Sequence, residues 1–96
     1  MTVEQLTAEE RDSWLSGLKG WALTREGKAI QRTFEFGDFS EAFAFMTRVA
    51  MIAEARDHHP EWFNVYNRVE VTLSTHDAGG VTEKDTKLAA FMDSSV

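Results

Sequence analysis

The chain has three histidines, all in its second half: His58 and His59 side by side, and His76 further on. Carboxylates flank them at Glu54, Asp57 and Asp85. Imidazole is the side chain whose ordinary pKa lies nearest neutrality, so it can both give and take a proton near physiological pH. A cluster of this kind suits a reaction in which one proton is delivered and another removed. Three histidines with nearby carboxylates could also ligate zinc. Adjacent residues in an extended segment point to opposite sides, however, which works against His58 and His59 sharing one ion. The plainest alternative is a helix-ending pair with an unrelated loop histidine. The chain has no cysteine, which excludes thiolate catalysis, disulfides and Cys-based zinc sites.

The elements that must position these side chains can be read from caps, periodicity and breakers. Thr7 with Glu10 three residues on reads as a capping box, and Trp14, Leu15 and Leu18 predict a first helix over 7–16, ended by Gly17 and Gly20. Strand-forming residues occupy 21–24 and 29–36, with Glu26-Gly27 as the hairpin turn. In the second of these strands Ile30, Phe34 and Phe36 share an apolar face on which Arg32 is a misfit. Asp38 or Ser40 caps a long second helix. Phe39, Phe43, Met46, Ala50 and Ala53 recur there at three- and four-residue spacing and are expected to form its core stripe, widened by Phe45, Val49 and Ile52.

That helix cannot run far past Asp57, because Pro60 pushes His59 towards an extended conformation. His58 and His59 therefore sit at a helix-to-strand junction. Two more strands follow over 62–66 and 69–75 around the turn Asn67-Arg68, with Val69, Val71 and Leu73 facing one way. After a loop over 77–80, Thr82 and Asp85 make a second capping box. It opens a last helix carrying Leu88, Ala89, Phe91 and Met92, with fraying expected past Asp93. The order α-β-β-α-β-β-α predicts an α+β fold, a four-stranded antiparallel sheet with helices packed on one face. The other face would be solvated by Thr33, Glu35, Thr72 and Ser74, unless Trp62 or Phe63 falls there and favours self-association.

At 96 residues the chain has room for one domain, spanning 1–96. Seven Phe, three Trp and one Tyr supply bulky core material. The formal net charge of −6, with basic residues scattered singly, argues against nucleic acid and anionic membrane surfaces as direct partners. The polar, acidic first ten residues do not read as a secretory signal. The apolar-rich region 39–55 is interrupted by Glu41, Thr47, Arg48 and Glu54, so no membrane span is expected. Absence of cysteine suits a reducing cytoplasm.

The spacing as a whole carries a more specific message. Glu54, three residues, His58-His59-Pro60, five residues, Tyr66, nine residues, His76, eight residues, Asp85 resembles the signature of the pterin-4a-carbinolamine dehydratases. So do the words Asp57-His58-His59-Pro60-Glu61-Trp62, Val65-Tyr66-Asn67-Arg68-Val69 and Leu73-Ser74-Thr75-His76-Asp77-Ala78-Gly79-Gly80. The resemblance extends to the Leu6-to-Glu10 start and the Gly20-Trp21 pair. It implies a small α+β subunit assembled as a homodimer or homotetramer, without metal or other cofactor. The activity implied is dehydration of 4a-hydroxytetrahydropterin to the quinonoid dihydropterin, which recycles the pterin of aromatic amino acid hydroxylases, phenylalanine hydroxylase above all.

By the same resemblance His58 and His76 are the acid/base pair and His59 mainly holds the pterin. A flat, polar heterocycle suits the aromatic face of Trp62 and the groups of Ser74, Thr75 and His76. Glu54, one helical turn before His58, could orient or charge an imidazole if the helix persists, and Asp57 could do likewise. Asp85 completes the pattern, although its capping position also explains it without catalysis. The family also includes a dimerisation cofactor of a transcription factor, so the alternative function is a non-catalytic protein-binding module of the same fold.

Overall fold

The computed structural model describes residues 3–96; Met1 and Thr2, at the start of the polar N-terminal stretch, lie outside them. The element order is α1 (Ala8–Gly17), β1 (Ala22–Thr24), β2 (Ala29–Glu35), α2 (Phe39–Ala55), β3 (Glu61–Val65), β4 (Arg68–Leu73), a 3-10 turn (His76–Ala78) and α3 (Glu83–Ser94). The four strands form one antiparallel sheet in the order β1-β2-β4-β3. This is the α-β-β-α-β-β-α arrangement expected from the sequence, with elements displaced by a residue or two. Among the described residues no helix is long and apolar enough to cross a membrane.

Both expected capping boxes are formed, at Thr7 with Glu10 and at Thr82 with Asp85. Of the two candidates for α2, Asp38 is the cap: its Oδ1 accepts from the Glu41 amide at 2.8 Å. Ser40 lies inside the first turn. Asp38→Ala should therefore lower the unfolding free energy by about 1 kcal/mol in urea denaturation, and Ser40→Ala should leave the midpoint nearly unchanged. The β3–β4 turn falls on Tyr66 and Asn67, one residue earlier than expected, and Tyr66 takes the left-handed φ of 51°. Asn67 fixes this turn to the end of β2 by donating from Nδ2 to the Phe36 carbonyl at 2.8 Å.

The core lies between the sheet and the helices. Ile30 and Phe34 of β2, Val69, Val71 and Leu73 of β4, and Leu88, Ala89 and Met92 of α3 are all buried. The expected core stripe of α2 is corrected here. Phe39 and Phe43 are exposed, Phe43 by 53%, and pair with each other at a 5.6 Å ring separation. Ala53, Phe45 and Val49 of the expected set do face inward, joined by Ala42, and Met46 and Ile52 pack against the core. Two apolar stripes overlap on this helix, and the packing partner decides between them. The Phe45 ring sits 4.7 Å from Phe34 and 5.1 Å from Phe36, in the aromatic-pair range.

The Arg32 misfit is resolved by pairing. Its Nη1 donates to Asp93 Oδ1 at 2.5 Å, beside the Trp21 indole, which donates to the same oxygen at 2.8 Å. The guanidinium lies 4.1 Å from the Phe34 ring centroid. A charge on the apolar face thus ties the end of α3 to β1 and β2. On the opposite face Gln31 bonds Glu70 and Thr72, while Phe63 is 57% exposed. Trp62, paired in register with the buried Val71, falls on the core side.

Candidate active site

Helix α2 ends through a reverse turn that fixes where the first two histidines go. The Asp57 amide donates to the Glu54 carbonyl and the His58 amide to the Ala53 carbonyl, at 3.2 and 3.0 Å. With Asp57 at φ 51°, this is a Schellman closure in which aspartate takes the left-handed place usually given to glycine. Pro60 then turns the chain into β3. His58 points inward, its side chain only 10% exposed, and His59 points out at 57%. The opposite orientation expected of adjacent residues in an extended segment is realised.

His58 meets the N-terminus of α3. Its Nε2 lies 2.6 Å from Oδ1 of Asp85, a carboxylate with no exposed surface. The other Asp85 oxygen, Oδ2, accepts from the Thr82 amide at 2.9 Å and from the Thr75 hydroxyl at 2.8 Å. Thr75 and Thr82 hydroxyls are 2.8 Å apart, and Thr82 Oγ1 accepts from the Lys84 amide. Each hydroxyl has one proton to give, so the chain has a direction: Lys84 amide to Thr82, Thr82 to Thr75, Thr75 to Asp85. With Asp85 ionised its Oδ1 can only accept, so the His58 contact then uses a proton on Nε2 and leaves Nδ1 for other partners. Capping and contact with histidine, alternatives for Asp85 in the sequence, are both fulfilled by the one side chain.

The other two imidazoles have their own carboxylates. Glu54 Oε1 lies 2.8 Å from His59 Nε2, in the open. An i,i+4 contact with His58 would need an unbroken helix, and the Schellman closure removes that geometry. Asp57 bonds to none of the imidazoles; its part in this corner is its left-handed backbone. His76, at the start of the 3-10 turn and 82% exposed, has Nε2 at 3.7 Å from Glu61 Oε2. Glu61 is also clasped by Arg25, whose guanidinium donates at 2.9 Å to Oε2 and 2.6 Å to Oε1. That hydrogen-bonded guanidinium holds the Glu61 carboxyl below the usual carboxylate range.

Ser74 and Thr75 build the wall between these groups. The Ser74 hydroxyl donates to the Lys28 carbonyl at 2.7 Å. The Thr75 amide donates to the Gly80 carbonyl, and the Thr75 carbonyl accepts from Ala78 and Gly79. A Cβ at Gly80 would meet the Gln5 side chain at 2.7 Å and displace it from the Ala78 carbonyl to which it donates. A cleft of about 400 Å³ opens beside His58, lined by Val3, Arg56, Glu83, Lys84 and Lys87. A roomier one of about 550 Å³ lies beside Gly37, Glu41 and Arg48 and touches no histidine.

Taken together, His58 and His59 share one corner, and Asp85 joins His58 to Thr75, the residue before His76. Glu61, two residues past His59 in the chain, lies 3.7 Å from His76. Glu61 and Arg25 are the residues that sequence reasoning missed. The only signal for Glu61 was its place just after Pro60 at the strand start. His58 and His59 are each held by a hydrogen bond to a carboxylate and His76 stands loosely beside a third, an arrangement able to deliver one proton and remove another.

Known proteins share this arrangement of sequence and fold. The family model described as Pterin 4 alpha carbinolamine dehydratase matches residues 4–95. A Novosphingobium aromaticivorans protein is 61% identical over 94 residues, covering 98% of both chains. One from Paraburkholderia xenovorans is 60% identical over 92 residues, covering 96% of each. Both carry the pterin-4-alpha-carbinolamine dehydratase name provisionally. A crystal structure of a transcriptional coactivator/pterin dehydratase from Brucella melitensis superposes with a TM-score of 0.93 at 51% identity, covering 96% of this chain and 98% of that one. A pterin dehydratase-like RuBisCO assembly factor shares the fold at TM-score 0.68 and 23% identity, over 79% of this chain and 88% of the other. With a family match over nearly its whole length and relatives at this identity, the chain belongs to the pterin-4-alpha-carbinolamine dehydratase family.

Proposed function

We propose that this protein dehydrates 4a-hydroxytetrahydropterin to the quinonoid dihydropterin by imidazole acid/base catalysis. A proton passes to the 4a-hydroxyl, the C4a–O bond breaks to release water, and the N5 proton is removed as the C4a=N5 double bond forms. No electrons are exchanged with a third party. The observation that carries this reading is three imidazoles, each beside its own carboxylate, around one corner of the fold. His58 and His76 act as the acid/base pair, His58 through the Nδ1 left free by Asp85. His59 holds the pterin from the open side, with Trp62, Ser74 and Thr75 as further binding residues.

The product would feed a reductase that restores the tetrahydropterin of an aromatic amino acid hydroxylase, phenylalanine hydroxylase first, in the cytoplasm. The subunit assembles as a homodimer or homotetramer, a reading supported by the exposed Phe39, Phe43 and Phe63. Those same exposed rings favour the second reading, a protein-binding module without catalysis. The two separate in one assay: purified protein in chelator-treated buffer should accelerate disappearance of an enzymatically generated 4a-hydroxytetrahydropterin. A rate equal to that of buffer alone would leave the binding module.

A further inference from the structure

His76 is the most exposed of the three imidazoles and the one with the least to hold it, a single contact at 3.7 Å with Glu61. Glu61 in turn is gripped at both oxygens by Arg25, from the other side of the sheet's central pair. The register explains how these residues meet. Ile30 lies opposite Leu73 and Glu61 opposite Thr72, so the β1–β2 turn, the end of β4 and the start of β3 share one end of the sheet. Arg25 reaches across the end of β4 to Glu61. It does so from a left-handed backbone, φ 53°, followed by Glu26 at 59° and Gly27 at 83°. A residue with a Cβ costs on the order of 1 kcal/mol there, and glycine would avoid that cost. The Ser74 hydroxyl on the Lys28 carbonyl pins the same turn to the segment leading into His76.

We propose that Arg25 and Glu61 are positioning residues for His76, with Arg25 fixing the Glu61 carboxylate so that guanidinium and imidazole share it. This rests on the acid/base reading of His76 for its consequence in catalysis, though not for its electrostatics. The Glu61 carboxylate is the negative group nearest the imidazole, at 3.7 Å, and Arg25, bonded to both its oxygens, offsets part of its charge. The adjoining elements also carry Glu26 and Lys28 in the β1–β2 turn, Asp77 in the 3-10 turn, Glu4 beside Gln5, the Glu54–His59 pair before β3, and Glu83, Lys84 and Asp85 at the start of α3. All of them stay in place in the variants below.

The sharing makes the two partners act in opposite directions. Arg25→Ala leaves the full Glu61 charge to His76, so the ring should titrate at a higher pH than in the parent protein. Glu61→Gln removes that charge and leaves Arg25, so the ring should titrate at a lower pH. Arg25→Lys keeps the charge and should fall between parent and Ala. Alanine retains a Cβ, so the left-handed backbone is equally disfavoured and the comparison isolates the side chain.

The measurement is the His76 ring resonance followed by NMR across pH, identified by its loss in His76→Gln, with amide spectra confirming the fold of each variant. Opposite displacements of the Ala and Gln variants are the expected result. Coincident midpoints, or displacement of both in one direction, would overturn the proposal. Steady-state dehydration at neutral pH should fall about two- to fivefold in Arg25→Ala, the scale of an exposed ion pair. Inactivity of the parent protein would remove the dehydratase reading and leave the titration result standing.

Discussion

His76→Ala should lower kcat for 4a-carbinolamine dehydration by about 10²- to 10⁴-fold, the range for losing a general acid or base, with thermal unfolding unchanged. The separation of the two effects follows from where the ring sits. Its side chain is 82% exposed and its one polar contact, 3.7 Å from Glu61, is long. Nothing in the core depends on it. His58→Ala should differ in kind, because that ring is 10% exposed and bonded to a fully buried carboxylate. There the rate and the melting temperature should fall together. Rapid-mixing assays of a freshly generated carbinolamine, paired with calorimetry, check both. A His76→Ala protein with the parent's rate would remove that residue from the chemistry.

Asp85→Ala should be the most damaging single change to stability, at about 3 kcal/mol, or a fall in melting temperature of about 15 °C for a domain this size. The carboxylate satisfies the Thr82 amide, the Thr75 hydroxyl and His58 at once, all of them buried or nearly so. Truncation strands three polar groups and removes an N-cap contact of α3. Asp85→Asn separates the functions of this residue. The amide oxygen can still accept from Thr75 and Thr82, so most of the stability should return. The amide nitrogen then faces His58 Nε2 and can only donate, which moves the ring proton to Nδ1, the nitrogen proposed to act on substrate. A rate lowered about 10- to 100-fold on a nearly stable protein is the expected pattern, read by the same assays. Full activity in Asp85→Asn would show that the His58 tautomer does not matter.

The fold was legible wherever a local rule acts alone. Thr7, Asp38 and Thr82 announce their helices through hydrogen bonds closed within three residues, and Pro60 ends α2 by sterics. Reading failed where two local solutions compete. On α2 the expected apolar surface held Phe45, Val49 and Met46, which do meet the core, together with Phe39 and Phe43, which do not, and only the rings of Phe34 and Phe36, brought over by the sheet, choose which side of it is buried. The same limit governs the site. The histidines are visible because their types and spacing are unusual. Their partners are not: Asp85 lies 27 residues from His58, and Arg25 lies 36 from Glu61, separations that only strand register and helix docking can close.

Antiparallel connectivity sends the chain back and forth between two ends of the sheet, and their contents differ. One end carries Pro60, the last residues of β4 and the β1–β2 turn, with every imidazole. The other carries the Tyr66-Asn67 turn, the Phe36 junction and the first turn of α2, where Phe39 and Phe43 stand in solvent. Helix α2 alone, at 17 residues, separates the poles by about 25 Å. Lengthening the Tyr66 turn or exchanging the exposed rings would therefore leave the proton-handling corner as it is. A lineage could change what this subunit associates with while its chemistry stays fixed, or lose the chemistry and keep its associations.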